Sequence, residues 1–595
     1  MPKTRNEVPA NLKWDLTKIL KDEKEFTAIE KEISDSLDFS EFEGKLGDEN
    51  VLLKCLRYMD EIDLKLEKIA VYAMMFRDID TRNSEANALN ARIDNLFVKY
   101  SSAISFVTPE ITALPEEKLR AIIADERFKD YDYQLSQLLK SKPHVLSKEC
   151  ENLLSLGGQV FGGYHEIFTM INNADLPFPE IEVNGEKVTV SHGMFSVLME
   201  NPDRTVREKA FKAFYNAFRS LLNTITATYT GNVNTDVFIT RAKKYGSCLE
   251  RALETEDVPS AVYENLLECV RAAQPVMHRY VKDRKDILGY DEMHMYDMYV
   301  SLVEDAELKL SYEDAFALVK KGLAPLGEDY GNLLQKAHDE GWMDVEETEG
   351  KRSGAYSVDV YALEHPYVLL NHQPTTHSVF TIAHELGHSM HSYKSDAAQP
   401  KSKADYKIFV AEVASTVNEV LLLKYLMKTT SDVKLKKYLC SYYLEMIRTT
   451  LFRQTMFAEF EKFSHGVIES GEALSAEKMT EFYRNLNRQY YGDSVISDKC
   501  IGYEWARIPH FYTDFYVYKY ATGITCAINI AAAILKDNKF VDKYKMFLSS
   551  GSSMYPMEIL SLVDLDLTTK VPYENAMKDF GEALTELTAL IKARK

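Results

Sequence analysis

Positive charge, cysteine and long apolar runs are all in short supply in this chain. Its 71 Lys and Arg are outnumbered by 91 Asp and Glu across 595 residues, a formal charge of −20 at pH 7. Nucleic acid and anionic membrane surfaces need an excess of Lys and Arg beside their phosphates, so neither is expected as a partner. The seven cysteines (Cys55, Cys150, Cys248, Cys269, Cys440, Cys500, Cys526) are scattered, odd in number and free of Cys-x-x-Cys pairs. A disulfide framework and a thiolate metal site are thereby disfavoured, and a reducing cytoplasm is the expected location. The longest apolar stretch, Ala521 to Leu535, is broken by Thr522, Gly523, Thr525 and Asn529 and falls short of the roughly 20 residues of a membrane span, so it reads as a buried helix. The polar start, Met1-Pro-Lys-Thr-Arg-Asn-Glu7, lacks the apolar segment of a signal peptide, and no export is expected. Neither a low-complexity segment nor a repeat of fixed period is found.

What is present is the composition of a folded protein, 46% hydrophobic and 27% charged. The length corresponds to roughly three to four domain-sized units. From the start to about Leu156 the pattern is consecutive amphipathic helices. The stretch 50–75, for example, spaces Leu52, Leu53, Leu56, Met59, Ile62, Leu64, Leu66, Ile69 and Val71 among charges. Two alternating runs around Asn184-Gly185, from Ile181 to Val190, predict a β-hairpin with a type I′ turn, and a domain boundary is expected there, dividing 1–195 from 196–595. Helical patterning resumes at Asp203 and persists to about Ala337. The Gly-rich patches at Gly157-Gly158, Gly162-Gly163 and Ser549–Ser553 lack the strand and Lys-Ser/Thr context of a phosphate loop and read as turns. Ala355–Tyr361 and His365–Leu370 are rich in β-branched and aromatic residues and predict two short strands. The fold class is therefore mainly α, with a small sheet just ahead of the segment that carries the chemistry.

That segment runs from Thr376 to Tyr393 and contains His384-Glu385-Leu386-Gly387-His388, a His-Glu-x-x-His pattern on a predicted helix with Thr376 or Ser378 as N-cap. Positions i and i+4 share a helix face, so both imidazoles can bind one zinc ion at about 2.0–2.1 Å. Glu385 then faces the ion's open position, where a carboxylate can serve as general base. The flanking Val379, Phe380, Ile382 and Ala383 make this an apolar helix, in which unligated histidines and a carboxylate are costly to bury. A catalytic zinc needs a third protein ligand. His391 lies about 10 Å along the axis from His384, too far to share the ion, and reads as an ordinary helix-face histidine. The metzincin extension fails, because His391 and Lys394 stand where its Gly and third His should be. Among the next acids, Asp396 reads as part of a polar loop and Asp405 as the N-cap of the following helix. Glu412 is enclosed by Ile408–Ala411 and Val413-Ala414, so burial would force it to be paired or to bind metal. Thr416 and Glu419 share its face, and Glu419 is either a partner to a ligand histidine or a solvated surface residue.

The run His365–Asn371, Phe380–Tyr393 and Phe409–Glu419 closely resembles the oligoendopeptidase F branch of the zinc metallopeptidase family that includes thimet oligopeptidase and neurolysin. Lys351–Ser357 and Ile508–Gly523 match as well, with Pro374 departing from the Gly expected before the motif helix. The resemblance implies one zinc ion on His384, His388 and Glu412, with Glu385 as general base. It implies a neurolysin-like helical ellipsoid with a deep channel that admits only short, flexible peptides, and makes 196–595 the catalytic domain behind an N-terminal helical domain. It further implies that His510 and a neighbouring tyrosine steady the oxyanion. Tyr518 is the first choice; Tyr512, Tyr516 and Tyr520 lie on another face of the same predicted helix, and Tyr512 and Tyr516 are expected to bind substrate. The strands at 355–370 offer an edge for an extended peptide. The expected activity is hydrolysis of internal bonds in short peptides. A non-catalytic peptide-binding protein with a structural metal, or a dipeptidyl carboxypeptidase with the same zinc chemistry, are the alternatives. The carboxypeptidase would need a clamp for a terminal carboxylate, and no such clamp is visible in the sequence, nor does the sequence indicate an oligomeric state.

Overall fold

The computed structural model describes residues 3–303 and 306–593. It divides into two compact units, each assembled from three separate stretches. The first comprises Met1–Val145, Glu307–Tyr425 and Ile530–Asp564, the second Leu146–Ala306, Leu426–Asn529 and Leu565–Lys595. The predicted division into 1–195 and 196–595 follows a different line, since the hairpin lies inside the second unit.

The first unit is built on helix α1 (Glu49–Asp78), 30 residues without Gly or Pro. Asp48 caps it by accepting the N–H groups of Asn50 and Val51. One face of α1 buries Leu52, Leu56, Ile62, Leu66 and Ile69 in a core that also receives Leu89, Ile93 and Leu96 of the following helix and Tyr367 and Leu369 of a small sheet. That sheet has the order β3 (Met343–Asp344), β5 (Tyr367–Leu369), β4 (Tyr356–Val358), with β3 parallel and β4 antiparallel to the central β5. The two strands predicted at 355–370 are present. The third was missed because two residues carry no alternation. Asp344, buried at the end of β3, pins the N-terminal segment by accepting from Arg5 Nη2 (2.7 Å), the Trp14 N–H (3.0 Å) and Lys351 Nζ (2.7 Å).

In the second unit the predicted hairpin pairs β1 (Glu180–Val183) with β2 (Glu186–Thr189), and positive φ at Asn184 (54°) and Gly185 (86°) makes its turn type I′. The glycines at 157–163 are not a turn. They belong to the end of one helix and to the next, α2 (Gly158–Met170). Packing overrides the weak helix propensity of glycine here: the Tyr164 ring fits against Gly231, where a Cβ would stand 2.3 Å from it, and Phe168 stacks on Tyr512 at 4.4 Å. Among the described residues no helix is long and apolar enough to cross a membrane.

The motif helix α3 (Thr376–Ala398) is longer than expected and carries Asp396 in its last turn rather than in a loop. Its N-cap is Thr375, ahead of both predicted candidates, Thr376 and Ser378, and it accepts the Ser378 N–H, while Thr376 Oγ1 accepts the Leu308 N–H at 2.8 Å. Asp405 ends the short helix Lys401–Ala404 and does not cap the next one, which begins three residues later. His391 is no surface residue. It is 1% exposed, stacked on Tyr406 (centroids 3.8 Å apart) and Phe547 (5.4 Å), and its Nδ1 meets no partner. Burial, with the charge of His388 adding to it, pushes its pKa down to about 3. As pH falls below 6.5 the unfolded chain takes up a proton that the folded one refuses, so stability is lost at about 1.4 kcal/mol per pH unit between pH 6.5 and 3. Urea unfolding of His391→Phe should show that part of the slope removed, and an unaltered slope would refute this assignment.

Candidate metal centre and its surroundings

Helix α4 (Ile408–Thr429) crosses α3 at almost the closest distance two backbones allow. A Cβ on Gly387 would stand 2.5 Å from Ser415 Cα and 2.8 Å from both Ala414 O and Ser415 N, so only glycine permits this contact. The crossing is fixed by Asn418, fully buried, whose Nδ2 donates to Ala383 O (3.0 Å) while its Oδ1 accepts from Tyr330 (3.0 Å).

The consequence is a cluster of three donors. His384 Nε2 and His388 Nε2 are 3.2 Å apart, and each lies 3.5 Å from Glu412 Oε2. Among the described residues it is the only group of three or more His, Cys, Asp or Glu side chains close enough to hold an ion. Donor atoms tetrahedrally disposed at the usual zinc bond lengths sit about 3.3–3.5 Å from each other, so the residues present fit one such ion. Glu419 Oε1 lies 2.6 Å from His384 Nδ1, which keeps the proton on that nitrogen and leaves the Nε2 lone pair facing Glu412 and His388. The reading of Glu419 as a solvated residue is thereby excluded, its side chain being 18% exposed. Ser415 Oγ donates to Glu412 Oε2 at 3.2 Å and orients the carboxylate.

The electrostatics follow the same pattern. Burial disfavours charge at His384, but the hydrogen bond and charge of Glu419, joined by Glu385 and Glu412, outweigh it and push its pKa up to about 9. Burial likewise opposes ionisation of Glu412, yet His388 and His384 hold it down to about 2. Two imidazoles and three carboxylates share the pocket, and a cation and a proton compete for the same imidazole nitrogen. Glu385 is 7% exposed, and burial raises its carboxyl, a shift the two histidines oppose and the two neighbouring glutamates reinforce. Its pKa is moved toward the range useful to a general base.

The other predicted residues belong to the second unit. Helix α5 (Tyr518–Lys536) begins later than predicted, so Tyr512 and Tyr516 precede it. His510, exposed, is joined by two half-buried tyrosines: Tyr520 Oη lies 3.5 Å from its Nε2, and the Tyr516 ring is 5.5 Å from Tyr520 and 6.0 Å from His510. Partial burial and then the charge of Arg453 hold His510 below the usual histidine range, so it is neutral at pH 7. Tyr518 and Tyr512 face the other way. Tyr518 is 1% exposed against Tyr263, and Tyr512 packs on Phe168 and Tyr229. The first choice of oxyanion donor is therefore corrected: the helix register turns Tyr518 into the core and Tyr520 toward His510.

A family model described as Peptidase family M3 matches residues 197–579, and one described as Oligopeptidase F matches residues 110–178. The chain belongs to peptidase family M3. It is 42% identical to oligopeptidase PepF of Bacillus subtilis over 99% of this chain and 88% of that one. It is 36% identical to a plasmid-borne oligoendopeptidase F of Lactococcus lactis subsp. cremoris over 100% and 99%. The crystal structure of oligoendopeptidase-F from Enterococcus faecium superposes with a TM-score of 0.75 at 33% identity, covering 96% of this chain and 99% of that one. This M3 chain is a metallo-oligopeptidase of the endopeptidase type.

Two residues that hold the M3 centre together, Gly387 and Asn418, were not singled out from the sequence. The glycine inside an apolar helical run was the available signal, since such a residue marks a close backbone approach. Gly387→Ala should separate α3 from α4. We expect a loss of about 1–3 kcal/mol of stability and a metal affinity at least tenfold lower, measured by urea unfolding and by competition with a chelator. Full metal affinity in the variant would contradict the role given to the crossing.

Proposed function

We propose that the protein hydrolyses internal bonds of short peptides using one zinc ion held by His384, His388 and Glu412. The observation that carries this reading is the set of 3.2–3.5 Å separations between three donors with Glu385 buried beside them. A bound zinc ion supplies Lewis acidity toward a peptide carbonyl and acidifies water. Glu385 takes the proton of the attacking water and passes it to the leaving amine. Glu419 keeps His384 in the tautomer that can ligate, and Ser415 holds Glu412 in place. His510, with Tyr516 and Tyr520 in place of Tyr512 and Tyr518, donates to the substrate carbonyl oxygen as it becomes an oxyanion, a contribution usually of about 10²–10³ in rate.

The extended peptide is proposed to dock on β4, an edge strand of its sheet. Ser357 of β4 meets Ser389, the residue after His388, at 2.9 Å, so this edge runs beside the motif helix. A cytoplasmic location accords with seven cysteines that form no disulfide. Glu385→Gln tests the central step. Near-stoichiometric zinc should be retained in the variant while cleavage of an end-blocked, internally quenched peptide falls by at least 10³-fold. Bound zinc with undiminished cleavage would overturn the role of Glu385, and bound zinc with no cleavage of a diverse peptide pool by the wild type would favour a binding protein.

A further inference from the structure

The second unit holds a concentration of guanidinium groups at odds with the negative charge of the whole chain. Three carboxylates, Asp297 and Glu504 buried and Glu445 half-buried, are each shared by two arginines: Asp297 by Arg204 and Arg207, Glu445 by Arg284 and Arg448, and Glu504 by Arg453 and Arg507. In the first two sets most guanidinium donors are engaged elsewhere, although Arg204 is 38% exposed and Arg207 Nε is buried without a partner. Arg207 and Arg284 also donate to backbone carbonyls and tyrosine hydroxyls, Arg448 also bonds Tyr491, and the three side chains are 0%, 1% and 5% exposed.

The third set is the one that adjoins His510. Arg453 Nη2 and Arg507 Nη2 both donate to one oxygen of Glu504, at 2.6 and 3.3 Å. That carboxylate is already filled, since Tyr483 and Tyr215 donate to it as well. A guanidinium carries five N–H donors, so each arginine keeps donors to spare and the pair keeps one uncompensated positive charge. Arg507 Nε is buried and meets no partner, whereas the two side chains are 20% and 21% exposed. Such a pair is one carboxylate short of neutrality and open on one side. It is also next to the proposed oxyanion donor. Arg507 ends the helical turn Lys499–Arg507, Pro509–Tyr512 follows at once with His510, and the charge of Arg453 is felt at that histidine.

We propose that Arg453 and Arg507 form a binding site for a carboxylate of the peptide substrate, either its C-terminal carboxylate or an acidic side chain. The planar forks suit a carboxylate, and a second anion would restore the one-to-one balance. Fixing a carboxylate at a set distance from His510 would fix where a peptide is cut relative to that group and limit the length of the fragment released. This inference rests on the proposed role of His510.

The test uses the full-length zinc enzyme and internally quenched peptides of one sequence, ending in a free acid or in an amide, with an amidated series carrying one Asp at successive positions. For the wild type, KM for the preferred carboxylate peptide should be about tenfold lower than for the neutral amide, with kcat within about twofold, as expected of a contact made equally in ground and transition states. Preference for the free acid identifies the C-terminal carboxylate, and preference for one Asp position identifies a side chain. Arg507→Met and Arg453→Met should each bring the acid-to-amide KM ratio close to one, and Arg507→Lys should restore part of it. Amide and carboxylate peptides cut with equal KM by the wild type would overturn this inference while leaving the peptidase reading intact. Persistence of the ratio in both Met variants would overturn the assignment to these residues. Failure to cut any peptide would contradict both.

Discussion

Three donor atoms from two helices meet within 3.5 Å of one another where the backbones of α3 and α4 nearly touch. Every feature of the metal centre depends on that contact between α3 and α4. Gly387 makes it sterically possible, and Asn418 ties Ala383 of one helix to the body of the other. The 3.6-residue period then does the rest: His384 and His388 share a face of α3, while Glu412 and Glu419 lie two turns apart on the face of α4 that meets them. A single methyl group at position 387 would stand where the partner backbone is.

A site of this kind is unfavourable for the fold that contains it. Two imidazoles and three carboxylates are held in or beside an apolar crossing, where isolated charges would be expelled or neutralised. Four of the five persist because each is assigned a partner: Glu419 to His384, Ser415 to Glu412, and Glu412 to both histidines. The same economy governs the charges elsewhere. Asp344 collects Arg5, Lys351 and the Trp14 amide at the small sheet, and Glu504 collects two arginines and two tyrosines beside His510. The last set combines surplus positive charge and partly exposed guanidinium groups with a position beside His510, which marks it as a place for a ligand.

Much of this was legible in the residues. The His-Glu-x-x-His spacing needs only helical periodicity to imply a two-imidazole face, and the enclosure of Glu412 by Ile408–Ala411 and Val413-Ala414 marked it as a carboxylate that burial would force into use. The Asn184-Gly185 turn was equally plain, because type I′ geometry demands positive φ at both positions. The failures share a cause, tertiary contact acting on weak local signals. Glycines at 157–163 were taken for turns because their helix depends on Tyr164 and Phe168 finding partners far along the chain. His391 reads as an ordinary helix-face histidine because one helix pattern does not reveal that Tyr406 and Phe547 cover it. Tyr518 and Tyr520 were confused because the start of α5 fixes which of them turns toward His510. The Arg453–Glu504–Arg507 set joins residues 51 and 3 apart, and nothing local announces the longer link.

X-ray absorption at the zinc edge of the purified protein tests the central claim most directly. The account predicts one zinc per chain with an inner shell of nitrogen and oxygen at about 2.0–2.1 Å, including the outer-shell signature of two imidazoles and no sulfur. The Glu412→Gln variant should then bind zinc much more weakly with both imidazoles retained. Sulfur in the inner shell, a single imidazole, or unchanged zinc affinity in the variant would contradict the site described for His384, His388 and Glu412.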